Sequence, residues 1–215
     1  MISEERANET NAPDFQRARR AAVGIAGALA WALFAGLHLA AFLDTGRPIG
    51  LGYIVQASII AGMFLIRAQP VRVSGRSLDW LAAFGGTFGG LLLRPDGYHP
   101  EWGDGFGLAL QAVGVTISIV ALFKLGRSFG LVAAHRGLVM SGPFSIVRHP
   151  IYAAYLVGEI GYLMQSFSLW NVAVLTLAWV AQIARMNAEE RLLSEDAAYA
   201  AYRVSVPRRL IPGVW

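Results

Sequence analysis

Arg148 and His149 are the polar residues whose setting most clearly suggests chemistry. They lie near the end of the stretch 135–152, in which polar and basic residues are packed densely among hydrophobic ones. Pro150 follows them directly, where an apolar run begins. Proline suits the first turn of a helix, because its missing N–H is not needed there. Free N–H groups and partial positive charge make a helix N-terminus favourable for anions. The sequence therefore predicts that this loop delivers Arg148 and His149 to an anion-binding helix N-terminus.

A second group of polar residues lies further along the chain. Gln182, Arg185 and Glu189 are spaced three and four residues apart, so they share one helical face. That face should end at the same depth as His149. An arginine, a carboxylate and an imidazole would then meet at one level. A structural ion pair between Arg185 and Glu189 explains the spacing equally well.

A third group follows the loop itself. Tyr152, Tyr155 and Glu159 stack on one helical face, since they are three, four and seven residues apart. Glu159 would be a carboxylate within an apolar segment, which is costly. It must line a cavity or accept a hydrogen bond from another helix. His38 is interpreted as a core histidine. No HExxH motif or histidine cluster is present, so no metal site is predicted.

Composition indicates a membrane protein. Of the 215 residues, 55% are hydrophobic and 15% are charged, against about 25% charged in soluble domains. The absence of cysteine excludes disulfides and a thiol nucleophile. The net charge is +4, and the basic residues flank apolar blocks. This pattern favours membrane lipids as partners and argues against nucleic acid. A glycine-rich dinucleotide fingerprint is also missing, which excludes a soluble Rossmann enzyme.

Six apolar segments are predicted to cross the membrane, since a bilayer core needs about 20 apolar residues. They are residues 21–43, 49–66, 80–93, 105–123, 151–164 and 169–184. The third is short and rich in glycine. If both termini are cytoplasmic, all but Arg47 and Arg94 of the 18 Lys and Arg residues lie inside, as the positive-inside rule expects. The last two spans form a tight hairpin. A helix over residues 187–202 follows, with Tyr199 and Tyr202 on its apolar face.

Four motifs in the second half of the chain resemble the isoprenylcysteine carboxyl methyltransferase family. They are LVMSGPFSIVRHPIY at 138–152, RxxxEERLL at 185–193, YxxY at 199–202 and VPRRLIP at 206–212. Phospholipid N-methyltransferases and thiol methyltransferases share this membrane fold. The resemblance covers the chain from about Leu125 onward, and the first three spans carry no family signature.

The resemblance implies S-adenosyl-L-methionine as the cofactor, in a cytosol-facing pocket between the loop and the last two helices. It implies cofactor-binding roles for Leu138, Val139, Phe144, His149, Pro150, Ile151, Tyr152 and Glu189. Phe144 stands where the family often has tyrosine. Two residues are expected to be catalytic, Arg185 beside a substrate carboxylate and Glu190 as proton acceptor for an amine, a role for which Glu159 is the alternative. The substrate pocket is expected to contain Tyr155, Glu159 and Gln182.

The expected fold is an all-α integral membrane protein with about six transmembrane helices, a cytosolic cofactor-binding loop and an amphipathic C-terminal helix. Residues 1–20 form an N-terminal arm, 21–123 the N-terminal spans and 124–215 the methyltransferase region. The expected location is the bacterial cytoplasmic membrane, with the active site facing the cytoplasm.

The expected reaction is carboxyl O-methylation of a lipophilic, membrane-embedded acceptor. Methylation of a lipid amine or of a thiol on the same fold remains open. Methyl transfer needs orientation above all, which can supply about 7–11 kcal/mol. Two other classes compete. Sterol-type NADPH-dependent reductases have a similar HPxY-like loop, although the EERLL segment fits the methyltransferases better. A non-enzymatic transporter would explain Glu159 and His38 but not the cytosolic cluster.

Overall fold

The structure is a computed structural model that describes residues 14–47, 50–67, 72–94, 97–98, 100–130, 132, 134–135 and 137–213. Residues 1–13 of the predicted N-terminal arm lie outside the described residues. The first helix already begins at Asp14, so residues 14–20 of that arm are helical.

The chain is α-helical, as predicted. Within the described residues the helices are α1 (Asp14–Thr45), α2 (Leu51–Ile66), α3 (Ser77–Phe88), α4 (Glu101–Leu125), α5 (Pro150–Gln165), α6 (Leu169–Leu193) and α7 (Ala197–Ser205). One feature was not predicted. Two short strands, β1 (Arg72–Val73) and β2 (Ala134–His135), pair antiparallel. They join the α2–α3 connection to the loop after α4. Strands of two residues are too short to show an alternating pattern in the sequence.

Three helical stretches are long and apolar enough to cross a membrane, namely Ala21–Thr45, Glu101–Ser128 and Leu169–Leu193, and α2 is a shorter apolar helix. The protein is an integral membrane protein, while the full count of six spans stays a prediction. The predicted third span is built differently from the others. It consists of the 12-residue α3 and a 3₁₀ turn, Gly89–Leu92. At about 1.5 Å per residue, α3 alone is shorter than a bilayer core.

Helices α4 and α5 pack through glycine. A Cβ atom on Gly107 would lie 2.5 Å from the Gly161 carbonyl oxygen, and one on Gly114 would lie 2.6 Å from the Ala154 carbonyl oxygen. No side chain fits at either position, so the two backbones are in direct contact. Small residues permit such close approach between helices in membranes. This pair of helices fixes the position of Pro150 at the first turn of α5.

The glycines of the predicted third span serve the same purpose against α6. A Cβ atom on Gly86 would meet the Gln182 side chain at 2.8 Å, and one on Gly89 would meet Ala178 at 3.1 Å. Gln182 donates a hydrogen bond to the Gly86 carbonyl (2.8 Å). The sequence shows these glycines clearly, but the structure is needed to show which helix they contact.

The predicted hairpin of α5 and α6 is wider than expected. Ser168 caps α6 by accepting a hydrogen bond from the Asn171 N–H. However, α5 packs mainly on α4, and α6 mainly on α3. Long side chains bridge the gap, for example Trp179, whose indole N–H donates to Glu159 (2.6 Å). Space for cavities remains between the two helices.

The predicted single helix over residues 187–202 is wrong in one respect. α6 ends at Leu193, and α7 begins after Asp196, whose side chain accepts a hydrogen bond from the Ala198 N–H. Aspartate is a strong N-cap, so it starts a new helix here. The amphipathic character of α7 agrees with the prediction, because Tyr199 and Tyr202 are buried in a cluster with Leu193 and others.

The chain after α7 folds back on the start of α5. We call residues 206–209 the C-terminal strap. The backbone N–H groups of Arg148 and His149 donate to the carbonyls of Arg208 and Arg209, both at 2.9 Å. The backbones of Arg208 and Arg209 thereby close the loop that precedes α5.

Candidate active site

The loop cavity is the space enclosed by the loop after α4, the first turns of α5, the end of α6 and α7. Its volume is about 150 Å³. Its walls include every residue to which the family resemblance gave a cofactor-binding role: Leu138, Val139, Phe144, His149, Pro150, Ile151, Tyr152 and Glu189. Residues from four separate elements therefore meet around one space.

The loop cavity also has walls that the sequence did not reveal. They come from the first part of the loop and from α6 and α7: Leu125, Ser128, Phe129, Gly130, Val132, Gly137, Met140, Leu193, Tyr199 and Tyr202. The YxxY spacing could have indicated the two tyrosines, since residues three apart share a helical face. The residues before Leu138 belong to no quoted motif, and so no signal pointed to them.

Glu189 lines the loop cavity, and only one of its two carboxylate oxygens binds the neighbouring Tyr152 and Arg185 side chains. Its Oε1 accepts hydrogen bonds from the Tyr152 hydroxyl (2.8 Å) and from Arg185 Nε (3.2 Å). Its Oε2 lies 3.9 Å from His149 Nδ1, which is beyond hydrogen-bond distance. The side chain is 23% exposed. This geometry can hold a cation that enters the cavity.

Glu190 has the opposite orientation. It is 4% exposed, and it is not among the residues of the described chain that line the loop cavity. Its carboxylate binds Arg148 Nε (2.9 Å) and His149 Nε2 (3.0 Å), and Arg209 donates to its second oxygen (2.8 Å). The predicted proton acceptor is thus fully engaged in holding the loop and the strap.

His149 stands directly before α5, as predicted, but its side chain is buried. It is 7% exposed, and its ring is fixed by Glu190. Arg148 is buried as well, and its Nη1 donates to the carbonyls of Val206 (2.9 Å) and Pro207 (2.6 Å). The strap occupies the backbone N–H groups of both residues. The anion site predicted from these two donors is therefore largely filled by the protein itself.

Two tyrosines of α7 close the loop cavity. The Tyr202 hydroxyl donates to the Phe144 carbonyl (2.6 Å). Burial raises the pKa of Tyr202 to about 12, so the hydroxyl keeps its proton. The Tyr199 hydroxyl is buried and has no hydrogen-bond partner within the described chain. Burial raises the pKa of Tyr199 too, and the nearby Glu190 charge adds to this effect.

A second space, the helix cavity, lies between α1, α2, α3, α5 and α6. Its volume is about 60 Å³. It contains the three residues expected in the substrate pocket: Tyr155, Glu159 and Gln182. Aromatic and aliphatic side chains form most of the remaining wall, and Tyr53 and Gln56 add polar groups. The contribution of α1 to α3 could not be predicted, because these helices carry no family motif.

Arg185 lies where the two cavities meet. Arg185, Tyr155 and Phe129 line both of them. Besides its bond to Glu189, Arg185 donates to Thr87 Oγ1 (3.1 Å) and to the Gly130 carbonyl (2.9 Å). Its guanidinium also stands 5.5 Å from the centre of the Tyr152 ring. Both sequence interpretations therefore hold geometrically, since Arg185 is paired with Glu189 and also borders a cavity.

Within the part of the chain that the structure describes, no three His, Cys, Asp or Glu side chains are grouped as a metal site would require.

Residues 107–195 match the model of the isoprenylcysteine carboxyl methyltransferase (ICMT) family. This match confirms the resemblance seen in the sequence motifs. The matched segment runs from within α4 to just past the end of α6. It contains every predicted site residue from Leu138 to Glu190, but it ends before α7 and the strap.

Curated proteins similar to the chain carry two kinds of name. Protein-S-isoprenylcysteine O-methyltransferase A of Arabidopsis thaliana is 31% identical, over 54% of this chain and 63% of that protein. Protein-S-isoprenylcysteine O-methyltransferase B of the same organism is 28% identical, over 49% of this chain and 58% of that protein. The cobalt-zinc-cadmium resistance protein CzcN of Cupriavidus metallidurans is 33% identical, over 51% and 53%. The chain thus spans between half and two thirds of these relatives.

Proposed function

We propose that this protein is a membrane methyltransferase that uses S-adenosyl-L-methionine to methylate a carboxylate on a lipophilic acceptor. The observation that carries the proposal is the position of Arg185. It borders both the loop cavity, which the family motif lines, and the helix cavity among the apolar helices. A cationic group at that junction can hold the carboxylate of an acceptor whose apolar part lies among the helices.

The loop cavity suits the cofactor. Glu189 Oε2 faces the cavity and would receive the ammonium of the methionine part. The Tyr199 hydroxyl is buried without a partner in the described chain, and a buried polar group of this kind is costly unless a ligand completes it. The rings of Phe144 and Tyr152 offer apolar surface to an adenine. When bound, S-adenosylmethionine supplies an electrophilic methyl group: a carboxylate oxygen bonds to its carbon as the carbon–sulfur bond breaks and sulfur keeps the electron pair.

The protein's own side chains orient the acceptor and exclude water from the site. The fork of Arg185 can bind a carboxylate through two parallel hydrogen bonds. Tyr152 and Arg185 hold Glu189 in place, and Glu190 binds both His149 and Arg209 of the strap. A carboxylate acceptor releases no proton, so no general base is required. The engagement of Glu190 by three cationic or imidazole side chains supports O-methylation over methylation of an amine.

Cofactor binding gives the first test. Purified protein in detergent is titrated calorimetrically with S-adenosylhomocysteine and, separately, with NADPH. Saturable binding of S-adenosylhomocysteine alone is expected. Binding of NADPH instead would overturn the proposal in favour of a reductase.

The kind of methylated atom needs a second test. Native membrane lipids are incubated with the enzyme and with methyl-labelled cofactor, and the product is treated with mild alkali. A carboxyl methyl ester then releases labelled methanol, whereas an N-methyl or S-methyl product retains the label. Alkali-stable label would refute carboxyl methylation while leaving methyl transfer intact.

We also propose six spans with the loop cavity on the cytoplasmic side of a bacterial cytoplasmic membrane. The distribution of basic residues supports this topology. Because the chain lacks cysteine, single introduced cysteines are clean probes. Lys124→Cys should be protected from a membrane-impermeant reagent in intact cells, and Asp44→Cys should be labelled. The reverse pattern would invert the topology.

A further inference from the structure

Glu159 is a carboxylate in the apolar interior for which the methyl transfer has no use. It lies near the middle of α5 and lines the helix cavity. The Trp179 indole N–H donates to one of its oxygens at 2.6 Å. Within the described chain, no basic side chain lies at salt-bridge distance from Glu159. A carboxylate among membrane helices is costly, so it indicates a partner that is bound from outside the chain.

Two further polar atoms in the walls of the helix cavity have no hydrogen-bond partner within the described residues. Gln182 is 4% exposed, and its Oε1 has no hydrogen-bond partner within the described residues. Its amide nitrogen is engaged by the Gly86 carbonyl, which fixes the oxygen as the unpaired end. The Tyr53 hydroxyl is likewise buried and unpaired within the described chain. Both residues line the same cavity as Glu159.

These groups lie at a defined depth relative to Arg185. Gln182 and Trp179 precede Arg185 by three and six residues on α6, which is about 4.5 and 9 Å along the helix axis. A molecule whose carboxylate is held by Arg185 would therefore extend past them. A plain hydrocarbon tail would cover one carboxylate and one amide oxygen without satisfying either, which is unfavourable.

We propose that the acceptor is a lipophilic carboxylic acid with a hydrogen-bond donor on its apolar part, and that Glu159 and Gln182 receive this donor while Arg185 holds the carboxylate. The inference rests on the proposed function and narrows its substrate class. A hydroxyl, an amide N–H or an ammonium would serve, and Glu159 is then a specificity-determining residue. A saturated acid without such a group is a poor ligand.

The test compares octadecanoic acid with a positional series of hydroxyoctadecanoic acids in identical micelles, with S-adenosylhomocysteine present. Binding is followed by tryptophan fluorescence, because Trp179 contacts Glu159 directly, and Trp179→Phe identifies its share of the signal. One positional isomer should bind about tenfold more tightly than the parent acid, as expected for a hydrogen bond to a charged group. Equal affinity across the whole series would overturn the inference.

Two variants test whether the preference for the hydroxy acid depends on Glu159 itself or on the loss of any carboxylate. Glu159→Leu replaces the carboxylate with an apolar side chain and should abolish the preference for the hydroxy acid without weakening binding of the parent acid. Glu101→Gln removes an exposed carboxylate in the first turn of α4 and should keep the preference. A preference that survives in Glu159→Leu would refute the assignment.

Glu159→Gln provides a second, milder variant if Glu159→Leu fails to fold. It keeps a carbonyl acceptor but loses the charge. It should retain part of the preference for the hydroxyoctadecanoic acid. It should lose the preference for the aminooctadecanoic acid that carries an ammonium group at the same carbon. An unchanged preference for both analogues would refute the inference. Failure of S-adenosylhomocysteine to bind refutes the proposed function itself, whereas its binding with no discrimination among the acids refutes the inference alone.

Discussion

The loop cavity and the helix cavity differ in how the chain builds them. One stretch, from Leu125 to Tyr202, supplies all the described walls of the loop cavity. The helix cavity instead combines that stretch with α1, α2 and α3. The family match begins at residue 107 and so covers none of these three helices. On the proposed function, the matched region holds the methyl donor and binds the polar groups of the acceptor, and the unmatched helices form the rest of the acceptor cavity.

The cavities also differ in the state of their polar groups. Around the loop cavity, Glu190 and Arg148 are satisfied by partners within the protein. In the helix cavity, the Gln182 oxygen and the Tyr53 hydroxyl are unpaired within the described residues. The loop cavity therefore has a frame that the protein's own ion pairs hold, although its Tyr199 hydroxyl is also unpaired within the described residues. Variants in the two regions should therefore change different measured quantities.

Glu190→Ala should give the largest effect, because it breaks the frame of the loop cavity. It leaves Arg148 buried without its carboxylate, and loss of one partner of a buried pair costs about 3–5 kcal/mol. Thermal unfolding should show a marked drop in midpoint temperature. Glu189→Ala, at the neighbouring but more exposed carboxylate, is the matched control and should unfold closer to wild type. Equal midpoints for wild type and Glu190→Ala would show that the strap is held by other contacts.

Glu189→Gln should weaken cofactor binding with little loss of stability. A hydrogen bond to a charged group is worth about 1.5–3 kcal/mol, which corresponds to a tenfold to hundredfold rise in Kd. Calorimetric titration with S-adenosylhomocysteine measures it. Glu101→Gln serves as the control at an exposed site and should bind normally. An unchanged Kd in Glu189→Gln would remove Glu189 from the cofactor site.

Arg185→Lys tests the junction of the two cavities. Lysine keeps the charge but cannot form the bidentate fork. If Arg185 orients the acceptor, turnover should fall about tenfold or more while the Kd for S-adenosylhomocysteine changes little. If Arg185 only positions Glu189, turnover and cofactor affinity will fall together. Measuring both quantities on one variant distinguishes acceptor orientation from scaffolding.

Thr87→Val should give a smaller effect that comes from the unmatched half of the chain. It removes the hydrogen bond from Arg185 Nη1 at nearly constant volume, and a typical bond contributes about 0.5–1.5 kcal/mol. The expected result is a few-fold rise in KM for the acceptor with cofactor affinity unchanged. Thr116→Val is the control, because among the described residues the Thr116 hydroxyl bonds only within its own helix, to the Ala112 carbonyl. Equal kinetics in the two variants would mean that α3 does not position Arg185.

The smallest effect concerns Asp79, which ties α3 to α6 through Arg191. Burial alone would raise the pKa of Asp79, but hydrogen bonds from Ser74 and Arg191 outweigh it and hold the pKa below the ordinary 3.8. The stabilisation is therefore present above pH 3.8 and is lost as pH falls through the lowered pKa. Arg191 is half exposed, so Asp79→Asn should cost about 0–1 kcal/mol at neutral pH. Unfolding midpoints of the two proteins should converge in acid; a constant difference would contradict the pairing.

The sequence predicts the helices well, because apolar blocks of membrane length leave few alternatives. Through the family resemblance it also predicts part of the loop-cavity wall, namely residues of the motif 138–152 and Glu189, while the wall before Leu138 is missed. The break before α7 is missed, although Asp196 is a recognisable cap. The opposite orientations of Glu189 and Glu190 are missed as well. Neighbouring residues on a helix point about 100° apart, but the sequence does not say which of the two faces the strap.

The helix cavity is the part that sequence reasoning reaches least. Glu159 and Gln182 attract attention as polar residues in apolar segments, but Tyr53 and Thr87 do not. Their roles depend on how α2 and α3 pack against α5 and α6, and these contacts join residues far apart in the chain. The glycines of α3 show the same limit. They predict close packing with some neighbouring helix, and only the structure identifies α6 as that helix.

The C-terminal strap has a consequence for how the protein is made. Arg148 is bound by the Val206 carbonyl, 58 residues later in the chain, and His149 is bound by the Arg209 backbone. Translation must therefore proceed well past the last span before these bonds can form. A nascent chain whose last span is already inserted in the membrane would still lack the bonds from the strap to Arg148 and His149. On the proposed function, the contacts that hold Arg148 and His149 at the methyl-donor site are therefore complete only once residue 209 has emerged from the ribosome.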